Sequence, residues 1–148
     1  MKINASIIKS FNPCNDRYDN FVNNYGTIEY DLKSFLEMDK INYTDKVWVV
    51  TRLFTHEQNV KWSIACASSV LDIYEKLYPD DKRPREAIEA AVTFVLNPCA
   101  ETRFDFAFFA SQSVVWAARS AAKSVVWAAK QKQEQLNLLF IMEVYNET

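Results

Sequence analysis

Thr55-His-Glu-Gln-Asn-Val-Lys-Trp-Ser-Ile-Ala-Cys-Ala-Ser-Ser-Val-Leu-Asp-Ile-Tyr-Glu-Lys-Leu-Tyr-Pro79 is the stretch on which the fold turns. Thr55 and Gln58 have the spacing of a capping box, in which the hydroxyl takes one unpaired amide of the first turn and the glutamine reaches back to another. Behind them Val60, Ile64, Ala67, Leu71, Tyr74 and Tyr78 recur at alternating spacings of four and three. That spacing draws one apolar seam along a helix from the cap to Pro79, and a helix with such a seam packs in a bundle.

The same signals extend outward in both directions. Asp16 to Tyr25 reads as a short amphipathic helix closed by Gly26, and a second runs from about Ile28 to Met38 with Ile28, Leu32, Phe35 and Leu36 on one face. A third follows Thr44 and carries Val47, Trp48, Val50 and Leu53. After Pro79, Asp80 and Asp81 offer an N-cap, Pro84 sits in a first turn where its missing amide costs nothing, and Glu86 faces the positive helix end. That helix reaches about Leu96, where Asn97-Pro98-Cys99 interrupts it. The longest candidate helix then runs from about Glu101 to Lys132, the polar run Gln131 to Gln135 marks a turn or an exposed passage, and Leu136, Leu139, Phe140, Ile141 and Val144 form a terminal helix. Phe104, Phe106, Phe108 and Phe109 cannot share one helical face, so the start of the long helix is buried on several sides or meets a second chain.

Within it an eleven-residue unit is written twice: Ser113-Val-Val-Trp-Ala-Ala-Arg-Ser-Ala-Ala-Lys123, then Ser124-Val-Val-Trp-Ala-Ala-Lys130. Eleven residues nearly close three turns, so the face repeats with a drift of about 20°. Val114, Val115, Ala118, Ala121, Ala122, Val125, Val126 and Ala129 make a face of small side chains that lets helix axes approach closely. Trp116 and Trp127 fall opposite, beside Arg119, Lys123 and Lys130, as a ladder of indoles and cations. In a central helix these tryptophans are core and the cations snorkel past them. In a peripheral one they are a surface for stacking a base, gripping a protein or pairing with a second copy.

Composition narrows the function. At 148 residues, 49% hydrophobic and 14% aromatic, the chain reads as one domain able to bury a core without metal or disulfide. Gly26 is its one glycine, which starves hairpins, phosphate loops and dinucleotide fingerprints. A net charge of −2 gives no general reason to expect a nucleic-acid polymer, no apolar run approaches a membrane span, and Cys14, Cys66 and Cys99 fit a reducing cytoplasm.

Catalytic chemistry finds little material. His56, the single histidine, sits in a first helical turn, and the scattered cysteines lack the local spacing of a zinc site. Asp72 and Glu75 lie one turn apart beside Lys76, which reads as a solvated face rather than a metal pair. Lys82, Arg83 and Arg85 at a helix start either receive an anion or are paired internally with arginines tying two helices together. Asn12-Pro-Cys14 and Asn97-Pro-Cys99 echo one another, as two helix-start turns or as one shared site. No catalytic residue, metal or cofactor is expected.

Tyr78-Pro-Asp-Asp-Lys-Arg-Pro-Arg-Glu-Ala-Ile-Glu-Ala91, preceded by Cys66-Ala and Val70-Leu71, resembles a family of small helical immunity proteins from bacteria and their phages. Phage members are similar further in Phe11-Asn-Pro-Cys14, in Asp45-Lys-Val-Trp48 with Arg52-Leu53, and in the tryptophan and alanine repeats, of which members often have longer arrays. The resemblance implies neutralisation of a toxin or a host defence protein by binding, in the host cytoplasm if the chain is phage-encoded. Together these readings predict an all-α single-domain bundle of six or seven helices, with a long Ala/Trp-rich C-terminal helix. They predict a non-enzymatic homodimer that contacts its target through Trp116, Arg119, Lys123, Trp127, Lys130, Lys82, Arg83 and Arg85. The rival is a sponge for a nucleotide second messenger, with tryptophan stacking a base and Arg83, Arg85 or Arg119 holding phosphates.

Overall fold

Polar side chains decide where three of the first four helices begin. The computed structural model describes residues 1–96 and 127–147, the side chains of Leu77 and 127–131 excepted. Among them it is all-α apart from one two-stranded sheet, with seven helices. The chain divides into two compact units, Met1–Thr55 and His56–Thr148.

In the first unit, strand β1 (Lys2–Ile3) pairs antiparallel with β2 (Tyr30–Asp31), setting Lys2 opposite Asp31 and Ile3 opposite Tyr30. Helix α1 (Ala5–Ser10) starts at Asn4, whose side-chain oxygen accepts the Ile7 amide at 2.9 Å. Helix α2 (Asn15–Tyr25) follows a turn in which Asn12 takes a φ of 58°, a left-handed conformation that asparagine tolerates better than most residues. It ends at Gly26, whose φ of 70° and ψ of −151° belong to a region open essentially to glycine alone. Helix α3 (Leu32–Leu36) is capped by Asp31 on the Ser34 amide at 2.7 Å, and α4 (Tyr43–Leu53) by Asn42 on the Asp45 amide at 2.9 Å. Ile3, Ile8, Phe21, Leu32, Phe35 and Val50 are buried. Phe21 anchors an aromatic cluster, edge-on to Tyr30 at 6.4 Å and tilted against Phe35 at 6.3 Å.

Two sequence expectations are corrected here. The helix expected over Ile28 to Met38 is confined to Leu32–Leu36, because Tyr30-Asp31 pairs with the N-terminal strand and Asp31 then caps the turn that follows. Ile28, expected on its apolar face, is 63% exposed. The cap of α4 is Asn42 rather than Thr44. The helix ending at Gly26 stands where expected.

The second unit is built on helix α5 (His56–Leu77), which begins directly after Thr55 and packs against both α6 (Arg83–Leu96) and α7 (Trp127–Asn146). Ala67 and Leu71 of the expected seam meet Ile88 of α6, with Ile64 and Ala87 alongside. Tyr74 continues the seam half-buried, whereas Tyr78 lies beyond the helix, 56% exposed and tilted against Tyr74 with ring centres 5.0 Å apart. A second buried line, Gln58, Trp62, Cys66 and Val70, runs along α5 at four-residue steps. Toward α7, Trp62 Nε1 donates to the Asn137 carbonyl at 3.0 Å and Gln133 Nε2 donates to Ser69 Oγ at 2.7 Å. Of the two readings of Gln131 to Gln135 the turn is overturned: α7 runs through it with Lys132 and Gln135 exposed, and Gln133 also bonds Asn137 one turn on at 2.9 Å. Residues 97–126, with the phenylalanine cluster, the first repeat unit and Cys99, lie outside the described residues.

Candidate functional site

The turn from α5 into α6 concentrates charge. Lys82 occupies the cap position, its carbonyl accepting the Glu86 amide at 3.0 Å, and Asp81 just before it accepts the Arg83 amide at 3.2 Å. Arg83 folds back onto the same carboxylate, donating from Nε to Oδ1 at 2.8 Å and from Nη2 to Oδ2 at 2.7 Å, while Tyr74 donates its hydroxyl to Oδ2 at 2.7 Å. These donors, Arg83 first, hold the Asp81 carboxyl well below the usual carboxylate range. Arg85 makes a second two-pronged pair, Nε to Glu75 Oε1 at 2.7 Å and Nη2 to Oε2 at 2.6 Å, and it joins α6 to α5. Lys82 Nζ donates to the Pro79 carbonyl at 2.9 Å.

All three cations offered by the sequence as anion receivers thus already have internal acceptors. Of the two sequence readings, the geometry is that of an internally paired helix start, with Arg85 as the inter-helix tie and Arg83 clamping the turn. Glu75 belongs to Arg85 rather than to an acidic pair with Asp72, and its carboxyl is likewise held down by that guanidinium. Among the described residues no group of three His, Cys, Asp or Glu side chains converges as metal ligands would.

Trp127 and Lys130 fall within α7 with their side chains outside the described residues, and Trp116, Arg119 and Lys123 lie outside them altogether. The structure therefore brings together Lys82, Arg83 and Arg85 and describes no indole ladder. Cys66 is buried, which pushes its thiol up to about 12, and Cys14 is exposed at the start of α2. The His56 ring stands edge-on to Phe94 at 6.2 Å.

The sequence reading missed three features of the first unit. Lys46 is buried and donates its ammonium to the Leu36 carbonyl at 2.7 Å, satisfying the C-terminal end of α3. The Tyr25 hydroxyl clips the loop after α3, donating to Asp39 at 2.9 Å and accepting the Lys40 amide at 2.9 Å. Arg52 lies 3.7 Å over the Trp48 ring, and Phe11 meets that ring edge-on at 6.2 Å. The four-residue step from Trp48 to Arg52 is the same kind of signal that singles out Trp116 and Arg119.

The cations of the α6 start are paired yet stay exposed, the Arg83 side chain at 86% and the Arg85 side chain at 46%. The chain belongs to the Imm-5 like putative immunity protein family, whose match covers residues 50–138. That span runs from the end of α4 through α5 and α6 into α7, so it falls almost wholly on the second unit. No curated protein and no solved structure matches the chain.

Proposed function

We propose that this protein neutralises a toxin or a component of bacterial anti-phage defence by binding it directly, without catalysis, as a homodimer in the cytoplasm. The family match over residues 50–138 is the observation that carries this reading. In it the second unit presents the contact surface. Trp116, Arg119, Lys123, Trp127 and Lys130 of the repeats contact the target, as do Lys82, Arg83 and Arg85 at the α6 start. The internal pairing of Arg83 and Arg85 supports a protein partner over a nucleotide, because a phosphate would first have to break two bidentate carboxylate pairs.

Tandem affinity purification of the tagged chain from a bacterial host tests this. One host protein is expected to co-purify in fixed proportion and to be lost with Trp127→Ala at an unchanged melting temperature. A thermal shift and tryptophan quenching with cyclic or ADP-ribose-type nucleotides, and no retained protein, would contradict it.

A further inference from the structure

From Leu136 to Tyr145 helix α7 carries two polar residues, Asn137 and Glu143, and is otherwise apolar or aromatic. Ile141 and Val144 are buried, on the line of Asn137, whose carbonyl accepts the Trp62 indole of α5. The opposite line, Lys132, Gln135, Leu139, Glu143 and Asn146 at steps of three and four, is exposed throughout, with Leu139 at 59%. Leu136, Leu138, Phe140 and Met142 flank Leu139 and are half-buried. A helix apolar around most of its girth is one packed on more than one side, and α5 supplies one of those partners.

The exposed line is basic before Leu139, at Lys132, and acidic after it, at Glu143 and then Glu147 one turn on. Among the described residues none of these three charges forms an ion pair, whereas Glu134 is engaged within its own chain. At a rise of about 1.5 Å per residue, Lys132 stands about 10.5 Å before Leu139, and Glu143 and Glu147 about 6 Å and about 12 Å after it. A parallel copy in register sets like charges against each other. An antiparallel copy related by a two-fold axis at Leu139 places each Lys132 between the partner's Glu143 and the partner's Glu147, with the two leucines in contact at the centre.

We infer that the Leu139 face of α7 docks a second copy of this chain, antiparallel and two-fold symmetric, with apolar contact at Leu139 and Lys132 paired to the partner's Glu143 and the partner's Glu147. The charge order on this one line, complementary to its own reverse, is what selects a second copy over an unrelated protein. This interface rests on the homodimer of the proposed function and deepens it by giving that dimer a face and a symmetry. It is separate from the capture of a target.

Sedimentation equilibrium of the full chain over a range of concentrations and salt reads the association. A dimer is expected that weakens as salt is raised, and Leu139→Glu is expected to raise its dissociation constant at least about tenfold with the far-ultraviolet circular dichroism unchanged. Lys132→Glu, and separately Glu143→Lys with Glu147→Lys, are each expected to weaken it severalfold. Mixed, those two variants are expected to recover the original affinity as a heterodimer, because each repelling set becomes an attracting one. These changes touch exposed charges alone, so they decide the matter if Leu139→Glu misfolds. A dimer indifferent to all the variants, or no recovery on mixing, overturns the inference and leaves the homodimer standing. A monomer at every concentration overturns both. A Leu139→Glu chain that stays dimeric but no longer retains the co-purified host protein assigns the face to the target and likewise overturns the inference.

Discussion

Lys46 shows how a charged side chain becomes part of a core. Its burial pulls the ammonium's pKa below the ordinary lysine value, with Asp39 partly countering, yet the 2.7 Å bond to Leu36 supplies a donor that the carbonyl at the end of α3 otherwise lacks. Lys46→Met keeps most of the packing and removes the donor. It is expected to cost about 1–3 kcal/mol, read as a lower urea midpoint at unchanged slope. Gly26 is the opposite case: a Cβ there would meet nothing within 4 Å, so the cost of Gly26→Ala is conformational alone. About 1–3 kcal/mol is expected from the backbone region it occupies, by the same measurement. The positive φ of Asn12, like the burial of Lys46, is decided by the chain's path rather than by local composition, and sequence patterning did not reveal either.

Among the elements, α5 was the most legible because cap and seam agree, and its buried line of Ala67 and Leu71 against α6 follows from that spacing. Its second line, Gln58, Trp62, Cys66 and Val70, obeys the same period but was masked by the polar Ser63, Ser68 and Ser69 between. Short α3 and the β1–β2 pairing escaped because two-residue strands held by a distant partner leave no periodic trace. Trp62→Phe tests the α5–α7 contact: loss of the indole donor to Asn137 is expected to destabilise by about 1 kcal/mol in denaturant titration.

The charge pairs at the α6 start, Arg83–Asp81 within the turn and Arg85–Glu75 across to α5, give a pH dependence with a definite sign. Glu75 and Asp81 have folded-state pKa values below the ordinary 4.5 and 3.8, so their contribution is complete above those values and fades as the pH falls through the lower folded ones. Urea midpoints measured from pH 7 down to 3 are expected to decline at the acid end, and to decline less in Glu75→Gln, already weakened at pH 7.

At the scale of the whole molecule, the two units divide along the family boundary. The match opens at Val50, six residues before the second unit begins at His56, leaving most of the first unit outside it. The all-helical class and the family were both legible from the sequence, the latter on Tyr78 to Ala91, because caps and seams are local. The candidate contact residues were legible only as a pattern. Whether a cation near a helix start is available or already paired depends on which carboxylates the fold brings to it, as Glu75 and Asp81 show for Arg85 and Arg83. The central claim is neutralisation by occupancy, and titrating the captured target's activity with the purified protein tests it most directly. Activity should fall linearly to zero at a fixed molar ratio, with the target's intact mass unchanged. Inactivation by far less than one equivalent, or a covalently altered target, would contradict the account.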